Sequence, residues 1–117
     1  MINEVKKTWG QELWLINTEL YCGKILLCEK GKWSSRGKYH FHLKKDETFY
    51  VLNGKVFIDI EGTGYLLTQN DQIRIKPGER HRFQAISKLA RILEVSTHHE
   101  DSDSYRVGGL EYSLSKS

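Results

Sequence analysis

Three histidines and one glutamate stand at spacings that suit a divalent-metal site. His40 and His42 are two residues apart, so on a β-strand both side chains leave the same face. Glu47 follows after four residues, a length typical of a hairpin connection, and a strand returning from that turn would bring it over the imidazoles. His81 opens a strand after the Pro77-Gly78 turn. Imidazole and carboxylate ligands suit ions such as Zn, Mn, Fe, Ni or Co, with positions left for water or substrate.

The same alternation selects candidate substrate-binding residues. If the paired histidines face inward, Lys38 does too, while Phe49 follows the glutamate inward and Phe83 follows the last histidine. A polar metal floor under apolar walls is typical of a small-molecule pocket. Arg74 is added as a cation near the pocket, so the predicted substrate-binding residues are Lys38, Phe49, Arg74 and Phe83.

Glu94 is the candidate general base. It lies between Leu93 and Val95, where a carboxylate is costly to bury unless it has a partner. We predict that Glu94 faces the cavity and carries protons there. The alternative is that it pairs with an Arg or Lys at the rim of the barrel.

Short strands must position these residues. Segments rich in β-branched, aromatic or alternating residues recur along the chain, with turn residues between them and no stripe of helical period. Regular short strands at this spacing predict an all-β sandwich or barrel. The predicted strands are 11–17, 20–28, 39–43, 47–52, 55–60, 65–68, 72–75, 81–86 and 90–96.

Length and composition limit the remaining possibilities. The 117 residues predict one domain over 1–117, with a core barrel at about 11–97 and a polar tail over 108–117. The 18 Lys plus Arg against 15 Asp plus Glu, net +3, are too balanced to indicate nucleic-acid binding. No apolar run suits a signal peptide or a membrane span, so a cytoplasmic protein without membrane contact is expected. Cys22 and Cys28 would lie ~20 Å apart on one strand and are expected to be reduced, buried thiols.

These residues together resemble the cupins, small β-barrels with two sequence motifs. The first runs Gly, five residues, His-x-His, three or four residues, Glu, six residues, Gly; here Gly37 and Gly54 flank the ligands, with two residues before the first His. The second runs Gly, five residues, Pro-x-Gly, two residues, His; Asn70, Lys76 and Gly78 occupy its turn positions. The resemblance implies a single-domain cupin, a jelly-roll barrel or double-stranded β-helix, that holds one divalent metal ion. The implied ligands are His40, His42, Glu47 and His81.

The flanking segments resemble the C-terminal sugar-phosphate isomerase domain of type II mannose-6-phosphate isomerases. Thr8-Trp9-Gly10 resembles its opening Pro-Trp-Gly, 92–97 its Ile-Glu-Val-Gln, and 100–107 the acidic segment ending in Arg that follows. This resemblance implies aldose–ketose isomerisation of a sugar or sugar phosphate, with the metal as Lewis acid and Glu94 as base. A phosphate would need cations at the mouth of the barrel. The candidate cations are Lys38, Lys44, Arg74, Arg82 and Arg106.

Two other functions fit the same residues. A His-rich site with a carboxylate and open positions also suits an Fe(II)-dependent dioxygenase, whose reactive oxygen species an apolar lumen would protect. The third hypothesis is a non-catalytic sensor module that binds a metal or a sugar. Bound Fe(II) with substrate-dependent O₂ uptake would indicate the oxygenase, and redox-inert Zn would favour the isomerase.

Two expectations concern the surface. Outward-facing aromatic side chains would expose more apolar area than a monomer carries, which predicts a homodimer. Residues 98–101, which include His98 and His99, are predicted to form a solvated surface loop. The aromatic residues are Trp9, Trp14, Trp33, Tyr39 and Phe41.

Overall fold

The structure, a computed structural model, describes residues 3–108, which form eleven β-strands and no α-helix. Of the predicted tail, only Gly108 belongs to these described residues. None of the helical turns within residues 3–108 is long or apolar enough to cross a membrane. The strands are β1 (Asn3–Lys7), β2 (Gly10–Asn17), β3 (Cys22–Glu29), β4 (Tyr39–Phe41), β5 (Glu47–Asn53), β6 (Val56–Ile60), β7 (Thr63–Leu67), β8 (Gln72–Ile75), β9 (His81–Ala85), β10 (Leu89–Ser96) and β11 (Tyr105–Val107).

The strands form two antiparallel sheets that enclose one core. The six-stranded sheet has the order β1-β2-β3-β10-β5-β8, and the five-stranded sheet has the order β11-β4-β9-β6-β7. From β3 onward, every connection except β6 to β7 crosses from one sheet to the other. This winding is that of a jelly-roll barrel, so the predicted all-β fold class is confirmed.

Two connections differ from the hairpins that their sequences predict, the four residues before Glu47 and the Asn-Gly pair at 53–54, which is the commonest two-residue hairpin sequence. β4 and β5 lie in different sheets, and so do β5 and β6, so neither residues 43–46 nor Asn53-Gly54 join paired strands. Gly54 is needed for another reason: its φ is +86°, and an added Cβ would lie 2.6 Å from the carbonyl oxygen of Leu89. Glu61-Gly62 does form a hairpin, since Ile60 pairs with Thr63 across it. A local turn signal thus marks where the chain turns without fixing the sheet it enters.

The core contains side chains that were predicted to lie on the surface. Trp9 and Tyr39 are only 5% and 7% exposed. Trp9 packs edge-on against Phe83 with ring centroids 5.1 Å apart, and the Tyr39 hydroxyl donates to Asp59 Oδ2 at 2.5 Å. The prediction that these two rings face solvent is therefore wrong, and the expected homodimer, which rested partly on them, stays a prediction. Both cysteines are buried and free, as the sequence predicts.

Candidate metal centre

Three imidazoles meet inside the barrel. His40 on β4 and His81 on β9 are direct cross-strand partners, and their ring centroids are 4.0 Å apart. His42 follows the end of β4 on the same side of the strand as His40. One ligand atom from each of the three residues lies within 4.8 Å of the others. Such a triad can hold a divalent metal ion.

Glu47 approaches the triad from the opposite sheet. It is the first residue of β5, and its Oε2 lies 3.3 Å from Nε2 of His42 and 3.7 Å from Nε2 of His81. The four predicted ligand residues are therefore neighbours, although no hairpin joins β4 to β5. They meet because both sheets turn these faces toward the same lumen.

The donor set fits a cation. Nδ1 of His40, Oε2 of Glu47 and Nε2 of His81 are buried and have no hydrogen-bond partner within residues 3–108. Leaving one such atom unsatisfied costs about 1–3 kcal/mol, so three in one place indicate a shared missing partner. Nδ1 of His42 bonds the Asp103 carbonyl oxygen at 3.1 Å, and Nδ1 of His81 bonds that of Glu79 at 3.0 Å. These carbonyls hold the Nδ1–H tautomer and leave both Nε2 lone pairs available to a metal.

Burial also sets the protonation of these groups. It lowers the pKa of both His42 and His81 to about 4, so these imidazoles are neutral at physiological pH. Burial, and then the nearby Glu94 carboxylate, raise the pKa of Glu47 to about 8. A divalent cation at the triad would favour the ionised form of Glu47.

A buried ion pair adjoins the triad. Glu94 stands opposite Lys24 and Phe49 in the sheet and is 4% exposed. Nζ of Lys45 lies 2.8 Å from Oε2 of Glu94 and 3.9 Å from Oε1 of Glu47. Burial alone would raise the pKa of Glu94, but the ammonium groups of Lys45 and Lys24 hold it below its usual value. Glu94 thus lies in the cavity as an ionised carboxylate bonded to Lys45.

An open cavity of about 660 Å³ lies above these groups. Its wall includes Lys38, Phe49 and Phe83, three of the four predicted substrate-binding residues. Arg74 does not line it, because its guanidinium bonds Asp46 at 2.6 Å on the exposed surface. The structure thus gives the cavity the predicted polar floor and aromatic walls but places Arg74 elsewhere.

His99 was predicted to lie in a solvated loop, and this prediction is wrong. Its side chain is only 9% exposed and lines the cavity. Nδ1 lies 3.1 Å from Nζ of Lys45, and Nε2 lies 2.9 Å from Oδ1 of Asp101, which is 91% exposed. The side chain of Asn17 bonds both the N–H and the carbonyl of His99 and so holds the segment against the barrel. Polar composition alone gave no sign of this contact.

Asp103 is a site residue that the sequence analysis missed. Besides its carbonyl bond to His42, its buried carboxylate accepts the backbone N–H groups of Leu43, Lys44 and Lys45 at 3.0–3.2 Å. One residue therefore orients a candidate ligand and fixes the turn that carries Lys45. It lies 61 positions after His42, so no local pattern could have linked the two.

We expect Asp103→Asn to weaken metal binding by about 10- to 100-fold, the usual effect of losing support around a ligand. The amide turns an N–H₂ toward the N–H groups of the turn and loosens it. Chelator competition measures the affinity, and hydrogen exchange of the Leu43 to Lys45 amides should accelerate in the metal-free protein. Asp71→Asn is the matched control, because Asp71 accepts the N–H of Thr68 in a turn that does not line the cavity. Equal metal affinity for wild type and Asp103→Asn would contradict the positioning role.

The family assignment follows from comparison with known proteins. The family model of the cupin domain matches residues 28–96, a span that includes all four predicted ligands. The chain belongs to the cupin family. No curated protein sequence matches this cupin.

Solved structures share the fold at low sequence identity. KdgF from Halomonas sp. has a TM-score of 0.71 at 18% identity, covering 79% of this chain and 81% of its own. Streptomyces Pac13 with uridine has a TM-score of 0.77 at 16% identity, covering 97% and 89%; another Pac13 structure is described as that of a nucleoside dehydratase. Oxalate decarboxylase from Bacillus subtilis has a TM-score of 0.76 at 16% identity, covering 91% of this cupin but 30% of its own chain. At these identities the likeness concerns the fold alone.

Proposed function

We propose that this cupin is a metal-dependent enzyme that isomerises a sugar or sugar phosphate between its aldose and ketose forms. The observation that carries the proposal is the ionised Glu94–Lys45 pair beside a triad that fits a metal, within one open cavity. Such a reaction needs a base that moves a proton between neighbouring carbons and a site that holds their oxygens. Solved neighbours with the same fold include a dehydratase and a decarboxylase, so the fold is compatible with small-molecule catalysis.

In the proposed isomerisation, each group of residues would have a separate role. His40, His42, Glu47 and His81 would hold the divalent ion, which supplies Lewis acidity toward substrate oxygens. Glu94 would take the proton from one carbon and return it to the next. Lys45 would keep Glu94 ionised and oriented through its 2.8 Å contact. Phe49 and Phe83 would exclude water from the reacting face of the sugar.

A second candidate, an Fe(II)-dependent dioxygenase, is favoured by one observation. The aromatic ring of Phe49 lies next to His81, with centroids 6.3 Å apart, so an apolar wall borders the triad. Iron with open coordination positions beside such a wall suits O₂ chemistry. The same ligands serve both candidates, so the metal and the cosubstrate must be measured.

The test begins with elemental analysis of protein purified without chelator, and we expect a single divalent ion per chain. Metal-free protein is then reloaded separately with Zn, Mn, Fe, Ni and Co. Hexoses, pentoses and their phosphates are screened by thermal shift, and the binders are incubated in D₂O with NMR detection. Isomerisation through a protein base should incorporate solvent deuterium at carbon 1 or carbon 2.

Each outcome separates the candidates. Deuterium incorporation with interconversion of aldose and ketose supports the isomerase. O₂ consumption that requires both Fe(II) and substrate would replace it by the dioxygenase. Tight sugar binding without exchange or O₂ uptake with any of the metals would replace it by a binding module.

A further inference from the structure

The charges that line the cavity do not balance. Seven Lys or Arg residues and four Asp or Glu residues contribute to its wall. Each carboxylate has a basic neighbour: Glu12 lies near Lys24, Glu94 near Lys45, and the other two near histidines. Four cations remain without a carboxylate within 4.0 Å among residues 3–108. These are Lys6, Arg36, Lys38 and Arg106.

Three of the four are close in the fold. Arg106 on β11 is the direct cross-strand partner of His40, so its side chain emerges beside that imidazole. Its Nε donates to Oγ of Ser35 at 3.2 Å, which joins it to the turn that carries Arg36 and leads into Lys38. The guanidinium is exposed, and within residues 3–108 its terminal nitrogens have no hydrogen-bond partner, so they can bind a ligand.

The turn that carries Arg36 is strained, and residues of another strand hold it in place. Ser35 and Arg36 have φ of 49° and 53°, in the left-handed region that residues with side chains rarely adopt. Oγ of Ser34 accepts the N–H of Phe83 at 2.9 Å, and the Gly37 carbonyl oxygen accepts from Arg82 at 2.9 Å. Strain that the surrounding structure enforces is typical of ligand-binding segments.

Arg82, by contrast, already contacts other side chains of the barrel. It bonds Asp59 at 3.1 Å and lies over the rings of Trp33 and Tyr39, so it supports the turn and does not line the cavity. Lys44 lies 3.6 Å from Glu100 and is also absent from the cavity wall. Lys6 lies on β1 in the other sheet, so the cations that lie together at this turn are Arg36, Lys38 and Arg106.

We propose that Arg36, Lys38 and Arg106 form an anion subsite at the mouth, which takes a carboxylate or phosphate group of the ligand whose other end reaches the triad. The inference deepens the proposed function and rests on the cavity being a small-molecule site. Arginine forks bind either anion through paired, charge-assisted hydrogen bonds. The anion would restore the charge balance that the wall residues leave open.

The experiment compares mannose, mannose 6-phosphate and mannuronate, which differ mainly at carbon 6, by calorimetric titration of the metal-loaded full chain. We expect the anionic probes to bind more tightly than mannose and to weaken as salt rises. Arg106→Gln and Arg36→Gln should each weaken their binding by about tenfold, the loss of one charge-assisted contact, and leave mannose unchanged. Arg106→Lys should recover part of the loss. The two anions identify whether carboxylate or phosphate is preferred.

Arg91→Gln is the control for a general charge effect, because Arg91 bonds the side chain of Asn53 on the exposed surface and does not line the cavity. Equal weakening by Arg91→Gln, or equal affinity of wild type for mannose and both anions, would overturn the subsite. The proposed function fails separately: Arg106-dependent anion binding without deuterium exchange would retain the subsite and remove the isomerase. Deuterium exchange together with binding of both anions that Arg106→Gln does not weaken would do the reverse: it would retain the isomerase and remove the subsite.

Discussion

Replacing His81 by alanine should remove most of the bound metal from this cupin. His81 is fully buried, its Nε2 has no hydrogen-bond partner in the described chain, and its Nδ1 is fixed by a backbone carbonyl. Loss of even an outer support of a ligating histidine costs about 10- to 100-fold in metal affinity, so loss of the ligand itself should exceed 100-fold. The same result is expected for His40, His42 and Glu47, because the remaining donors no longer surround the ion.

Metal content after dialysis, measured by elemental analysis, and affinity from chelator competition test this expectation. His98→Ala is the matched control, since His98 bonds the Thr18 carbonyl oxygen and lies near Glu100 outside the cavity. It should keep the full metal content. If His81→Ala or His42→Ala also kept it, the metal centre would have been assigned to the wrong residues.

Much of the strand content could be predicted because alternation along a strand is a local property. All nine predicted strands exist, and their ends differ from the observed ones by at most two residues. β1 and β11 were missed because their sequences, Asn-Glu-Val-Lys-Lys and Tyr-Arg-Val, are short, charged and mostly exposed. Neither strand has an apolar face that alternation in the sequence could reveal. Each is held by pairing with one neighbouring strand.

The pairing of strands could not be predicted in the same way. Asn53-Gly54 has the residues of a two-residue hairpin, yet the chain crosses there to the other sheet. Which partner a strand takes depends on long-range contacts, such as the pairing of β5 with β10 and β8. The predicted position of Glu47 near the imidazoles nevertheless agrees with the structure, because the residue faces the lumen in either arrangement.

In the site too, residues recognised by local spacing could be predicted, and residues brought together only by the fold could not. The four candidate ligands were found because their spacing is local, and His-x-His on a strand needs only period two. Lys45, His99 and Asp103 were missed because their roles depend on chain segments about fifty to sixty residues apart that meet only in the folded barrel. From sequence alone, a charged residue in a turn, such as Lys45, is predicted to be solvated, because its buried carboxylate partner is known only from the fold.

Glu94→Gln should lower turnover by about 100-fold or more while metal remains bound, the usual loss for a general base. Glutamine keeps the shape of the side chain, and its carbonyl oxygen can still accept from Lys45. Steady-state rates on the substrate identified by the deuterium screen, with metal content measured on the same samples, test this. Unchanged turnover would make Glu94 a structural partner of Lys45, and loss of metal would make it a support of the ligands.

The double variant Glu94→Gln/Lys45→Met separates catalysis from stability. Breaking a buried ion pair from one side costs about 3–5 kcal/mol, because the remaining charge is left without its counter-charge, whereas removing both charges is often neutral. Glu47 at 3.9 Å offers Lys45 only a weaker substitute. We therefore expect the single variant to unfold at lower denaturant concentration and the double variant to recover that stability without recovering turnover. If turnover returned together with stability, the deficit of Glu94→Gln would come from a disturbed fold, and the base would have to be another group in the cavity.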